Sequence, residues 1–134
     1  MRGFERKEQK TMDELLKQKL AENDVDVKGA VARFMGNESL FLKFLLKFKN
    51  DMSFTNLIAN LDQGNYEEAF KCAHTLKGVS ANLGINAINR PASELTELLR
   101  GKTAADVDLE RVAVKRKEME EAYKIFLRIM EENA

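Results

Sequence analysis

Apolar residues recur at steps of three and four along most of the chain, and polar pairs or glycines interrupt them at short intervals. That period marks amphipathic helices, because an α-helix turns about 100° per residue and returns to one face every 3.6 residues. Met12, Leu15, Leu16 and Leu20 form the first stripe, with Thr11 and Glu14 suited to a capping box at its start. Asn23-Asp24 breaks it. Asp26 is placed to cap a short second helix whose one face carries Val27, Ala30, Val31 and Phe34, and Gly36-Asn37 tolerates the left-handed geometry that ends it.

From Glu38 to about Asn60 the chain is rich in Leu, Phe, Met and Ile. Phe41, Phe44 and Phe48 follow helical steps and are expected to form one aromatic face, with a break or kink near Asn50-Asp51 and Ser53. Asp62-Gln63-Gly64-Asn65 reads as a turn. A helix follows over Tyr66–Leu83, ended by Gly84. Another, capped by Asn86 or Asn89, runs to about Arg100 with Leu95, Leu98 and Leu99 as its stripe. Pro91 lies early in it and either occupies its first turn or bends its start. After Gly101 and a loop, Asp108 can cap a last helix running to about Glu131, with Leu109, Val112, Met119, Tyr123, Phe126, Leu127 and Met130 buried. These elements predict an all-α fold, an antiparallel four-helix bundle with two short additional N-terminal helices across it. No repeat or linker divides the chain, so residues 11–134 are expected to be one domain behind a flexible polar segment at residues 1–10.

Composition narrows the choice of partner and compartment. The chain has 134 residues, 22 Lys plus Arg against 22 Asp plus Glu, so no long-range field favours nucleic acid or an anionic membrane. Cys72 is the only cysteine, which rules out an internal disulfide and suits a reducing compartment. The charged N-terminus lacks the apolar core of a signal peptide, and no apolar run approaches the roughly 18–20 residues that span a bilayer. A cytoplasmic protein is expected. Most enzyme classes lack support: there is no Gly-rich phosphate loop, no Cys-rich metal framework and a single histidine.

That histidine lies in the segment from Tyr66 to Ile85. Wound as a helix, Ala69, Cys72, Ala73, Leu76, Val79, Ser80 and Leu83 gather in a sector of roughly 120°, the buried stripe. His74 falls nearly opposite, with Glu67, Phe70, Lys71, Lys77, Gly78 and Ala81 around it. An outward Phe70 and a mid-helix glycine are unusual on a solvated face, since Gly78 costs up to about 1 kcal/mol relative to alanine. A missing side chain one turn from His74 would let another protein's backbone approach the ring, and apolar residues around a polar centre suggest docking. An imidazole with an ordinary value near 6.5 is mostly neutral at pH 7 and nucleophilic. Lys77 can set an ammonium beside a phosphoryl oxygen. Periodicity alone leaves ordinary alternatives: His74 and Lys77 as solvated surface residues, Gly78 as a packing glycine, Cys72 as a small hydrophobe, and Ser80 bonded to a backbone carbonyl.

The run His74-Thr-Leu-Lys77-Gly78-Val-Ser80-Ala-Asn-Leu83-Gly84 resembles the signature of the histidine phosphotransfer (HPt) family, His-x-Leu-Lys-Gly-x-Ser/Ala-x-x-Leu-Gly. Weaker resemblance covers about residues 26–131, with Glu94 and Glu97 matching acidic positions of the following helix; Pro91 departs from the pattern and implies local distortion there. The resemblance implies a phosphocarrier, not a self-contained enzyme, in a multistep two-component phosphorelay. His74 would be phosphorylated, Lys77 would be its positive neighbour, and Gly78 would keep the site open. Phe70, Lys71, Ala81, Glu67 and Ile85 would meet the receiver. The partners would be receiver domains of response regulators and hybrid histidine kinases. No cofactor is expected on this chain, because Mg²⁺ would sit on the receiver. The small outward patch suits transient contacts of a monomer.

Two other readings compete. A degenerate bundle of this type could dock on receivers without accepting phosphate. A carboxylate-bridged metal enzyme would need two Glu-x-x-His motifs, which one histidine cannot provide. A histidine kinase would need an ATP-binding region, and none is found in the sequence.

Overall fold

A computed structural model describes residues 12–133. Seven helices occupy them: α1 (Glu14–Glu22), α2 (Val27–Arg33), α3 (Glu38–Lys49), α4 (Ser53–Gln63), α5 (Tyr66–Asn82), α6 (Asn86–Leu99) and α7 (Leu109–Asn133). Short polar side chains start four of them by accepting a backbone N–H of the first turn. Asp13 accepts from Leu15, Asp26 from Gly29, Asn37 from Leu40 and Asp108 from Arg111. Thr11, the expected cap of α1, lies outside the described residues, as does the N-terminal segment 1–10.

The fold is an antiparallel four-helix bundle with the short α1 and α2 added at its N-terminal side. α4 packs on α5, α5 on α6 and α6 on α7; α3 and α1 close the bundle against α7. The long apolar stretch is therefore two helices, α3 and α4, bent at Asn50–Met52. Asp51 accepts from the Ser53 N–H there, so the break is held by a side chain. The bend lets one stretch of chain serve both sides of the bundle. α4 extends to Gln63, and the turn is confined to Gly64 and Asn65, with Gly64 left-handed (φ 75°).

Phe41, Leu45 and Phe48 of α3, Leu57 of α4, Leu76 of α5, Leu95 and Leu99 of α6, and Met119, Phe126 and Met130 of α7 are buried together. Three stripe residues turn outward. Phe44 is 37% exposed and stacks on Phe34 at 5.3 Å, so the expected single aromatic face contains only Phe41 and Phe48. Leu15 and Leu109 are exposed, and Leu127 is half-buried while Ile129 takes the core position. In each case three- and four-residue steps both fit the period, and the neighbouring helix chooses between them.

The start of α6 also differs from expectation. Neither Asn86 nor Asn89 caps it; the cap residue is Ile85, with no side-chain bond. The Asn86 N–H donates instead to the Asp24 carbonyl (3.0 Å), so tertiary backbone contact replaces a polar cap. Pro91 is buried and sits inside α6, which runs unbroken through it; the expected distortion reduces to one N–H missing from the ladder.

Candidate functional site

Glu67 and Glu68 in the first turn of α5 complement the helix dipole. The side chains that face its neighbours are small: Ala69, Ala73 and Ser80, with Leu76 and Leu83 filling between them. Small residues let α4 and α6 approach closely and hold α5 at a fixed rotation. That rotation turns His74 outward. His74, Gly78, Ala81, Glu67 and Lys71 are exposed, while Phe70 and Lys77 are half-buried on the same face.

The far end of α5 is fastened from outside the bundle. Arg33 of α2 donates to the carbonyls of Ala81 (3.0 Å) and Asn82 (3.1 Å), satisfying C-terminal acceptors of α5. On the inner side, Asn89 of α6 donates to the Lys77 carbonyl (2.9 Å) and to Ser80 Oγ (3.3 Å). Ser80 itself donates to the Leu76 carbonyl (2.6 Å). Its hydroxyl therefore serves the backbone and the α5–α6 seam, the ordinary alternative raised by its sequence position.

A Cβ placed on Gly78 would meet nothing within 4 Å. Packing does not require this glycine, and its absent side chain leaves open surface one turn from His74. The His74 imidazole lies nearly parallel to the Phe70 ring, centroids 6.0 Å apart and planes 18° from parallel. The Arg100 guanidinium, arriving from the end of α6, lies 5.1 Å from the same Phe70 centroid. Glu97 binds it through both nitrogens facing it, at 2.9 and 3.4 Å.

Charges around the ring are paired in a consistent way. The hydrogen bond from Arg100, then its charge, holds the Glu97 carboxyl below its ordinary value, and the Lys77 ammonium adds to that lowering. The same pair raises Arg100, and the bond to Glu68 raises Lys71. Cys72 is half-buried away from this face, beside Asn60, and burial pushes its thiol up. It behaves as the expected small hydrophobe.

One expected docking residue is misplaced. Ile85 is buried (1% exposed) and paired with Val25 in an antiparallel bridge. Gly84 (φ 72°) turns the chain inward after α5, and the Asp26 N–H donates to its carbonyl at 2.8 Å. The reversal carries Ile85 into the core. Three contributors escaped the sequence reading: Arg100, Glu97 in its pairing role, and Asn89. Glu97 and Arg100 have the i,i+3 spacing of an ion pair, which signals the pair but not the ring thirty residues earlier that it meets.

Among the described residues no cluster of three or more His, Cys, Asp or Glu side chains could hold a metal ion, and no helix is long and apolar enough to cross a membrane. The surface offers one outward imidazole, a neighbouring ammonium, an open approach over Gly78 and a guanidinium at the edge. Such a face can present a nucleophile to another macromolecule. The family model described as Hpt domain matches residues 46–126, from the end of α3 into α7 and including the whole of this face. No match was found among curated proteins or among solved structures.

Proposed function

The chain belongs to the Hpt domain family, and from that membership we propose that it relays a phosphoryl group between receiver-domain aspartates through His74. The family's chemistry is histidine phosphotransfer in two-component signalling, with receiver domains as partners. The observation that carries the assignment to His74 is its outward imidazole beside the open surface of Gly78, inside the matched segment. His74 is also the only histidine in the chain.

In the forward step the lone pair of an imidazole nitrogen attacks the phosphorus of an aspartyl phosphate. The N–P bond forms as the acyl-phosphate P–O bond breaks, and the receiver's carboxylate leaves with that electron pair. The ring carries a positive charge until its other nitrogen releases a proton to solvent. Return to a second receiver reverses these bonds. Transfer of this kind depends on positioning and on stabilising charge spread over the phosphoryl oxygens. Lys77 supplies an ammonium on the same face, and Gly78 gives the receiver's backbone room to close on the ring. Mg²⁺ belongs to the receiver in this scheme, and this chain acts as a monomeric, cytoplasmic phosphocarrier without a cofactor of its own.

The test is transfer from radiolabelled phospho-receivers in Mg²⁺, comparing the wild type with His74→Gln and Lys77→Gln. Acid-labile, base-stable label is expected on the wild type and absent from His74→Gln. Lys77→Gln should take label about 10-fold or more slowly, the scale of one lost charge-stabilising contact. Receivers that bind both His74 forms but label neither would favour a docking module instead.

A further inference from the structure

Phe70 was expected to meet the receiver directly, yet its ring is engaged within this chain. The imidazole of His74 lies along it at 6.0 Å and 18°, and the Arg100 guanidinium lies 5.1 Å from its centroid. The Phe70 side chain is half-buried and packs on the core, so it has less freedom than the exposed His74. Arg100 is held in turn by the two contacts to Glu97. A run of side chains from the end of α6 thus reaches the imidazole through one aromatic ring.

The spacing makes this contact stable. Residues 70 and 74 are four apart on α5, where side chains lie one above the other on the same face. Near-parallel rings at this separation attract. An exposed imidazole with no such neighbour would exchange among rotamers, and only some point a nitrogen at incoming phosphorus. Restricting those rotamers before reaction raises the fraction of productive encounters.

We infer that Phe70 is a positioning residue that holds the His74 imidazole in its reactive orientation by stacking, fixed from behind by Arg100 and Glu97. The inference rests on the phosphotransfer reading of His74. It differs from docking in one respect that an experiment separates: a positioning effect operates with any phosphoryl donor, whereas a docking effect operates only with a receiver.

Phosphoramidate is a donor too small to dock. Its P–N bond breaks as the imidazole N–P bond forms, ammonia leaves with the electron pair, and the ring's other nitrogen gives its proton to solvent. Because His74 is the only histidine, the label reports this ring alone. Phe70→Leu should slow labelling about 3- to 10-fold with both phosphoramidate and a phospho-receiver, the effect of losing orientation in one side chain. Phe70→Tyr keeps the ring and should restore both rates. In proton NMR the His74 ring signals should be shifted upfield in the wild type and in Phe70→Tyr, and that shift should vanish in Phe70→Leu. Circular dichroism checks that each variant is folded, and the tyrosine variant keeps the comparison valid if the leucine variant is not.

Slowing with the receiver alone would make Phe70 a docking residue and overturn the inference. So would unchanged rates with both donors. A wild type labelled by phosphoramidate but by no phospho-receiver would overturn the relay, and the phosphoramidate comparison would then decide the stacking role by itself.

Discussion

Gly78 sits inside the 17-residue helix α5, where glycine destabilises by roughly 0.5–1 kcal/mol relative to alanine. Nothing surrounds the position to justify that weakness through packing. Gly78→Ala should therefore raise stability by about 0.5–1 kcal/mol, seen as a higher urea midpoint at unchanged slope. Gly78→Leu should also fold, because there is space for the side chain, yet it should slow transfer from phospho-receivers while sparing phosphoramidate labelling. Both outcomes together would mark Gly78 as a glycine kept for access rather than for packing. The His74, Lys77 and Gly78 positions were legible in the sequence because a single helical period places all three on one face. The engagement of Phe70 by Arg100 was not, since thirty residues and a chain reversal separate them.

Within elements, the rotation of α5 decides what His74 faces, and the seam with α6 decides the rotation. Asn89 ties that seam at two points, the Lys77 carbonyl and the Ser80 hydroxyl. Asn89→Ala should cost about 1–3 kcal/mol in urea unfolding, the range for leaving partly buried polar partners unpaired. Ser80→Ala in the same background should add less than its separate effect, because both residues serve one network. The sequence offered Asn86 or Asn89 as the cap of α6 and Ile85 as a docking residue. Neither reading included a contact from outside its own stretch of chain, yet α6 is not an isolated helix. Its first turn is instead completed by backbone from the α1–α2 connection, through Asp24, Val25 and Asp26, and no local pattern announces that.

At the scale of the whole molecule, Tyr123 joins α7 to both halves of the bent α3–α4 stretch. It stacks on Phe54 at 4.4 Å, meets Phe48 edge-on at 5.7 Å, and donates to the Phe48 carbonyl at 3.3 Å. Burial first, and the nearby Asp51 charge second, push its phenol above the ordinary tyrosine value. A raised acid favours the neutral form in the fold. The associated stability is intact below about pH 10, the ordinary tyrosine value, and is lost as pH rises through the folded value. Tyr123→Phe should cost roughly 0.5–1.5 kcal/mol at pH 7 for the lost hydrogen bond. It should then lose less stability than the wild type between neutral pH and about pH 11, measured by urea unfolding, because no phenol at this position remains to ionise.

The sequence by itself determined the helical class, the approximate extent of the helices and the grouping of His74, Lys77 and Gly78. Those properties follow from local period and local backbone preference, which act within a few turns of chain. The tertiary structure decided which stripe residues turned outward, how α6 begins, and what surrounds the imidazole. Phe44, Leu15 and Leu109 satisfy the helical period as well as their buried neighbours do, and only the packing of a second helix separates them. Arg100 reaches Phe70 for the same reason: its position is set by how α6 lies on α5, a relation between surfaces that neither stretch of sequence contains alone.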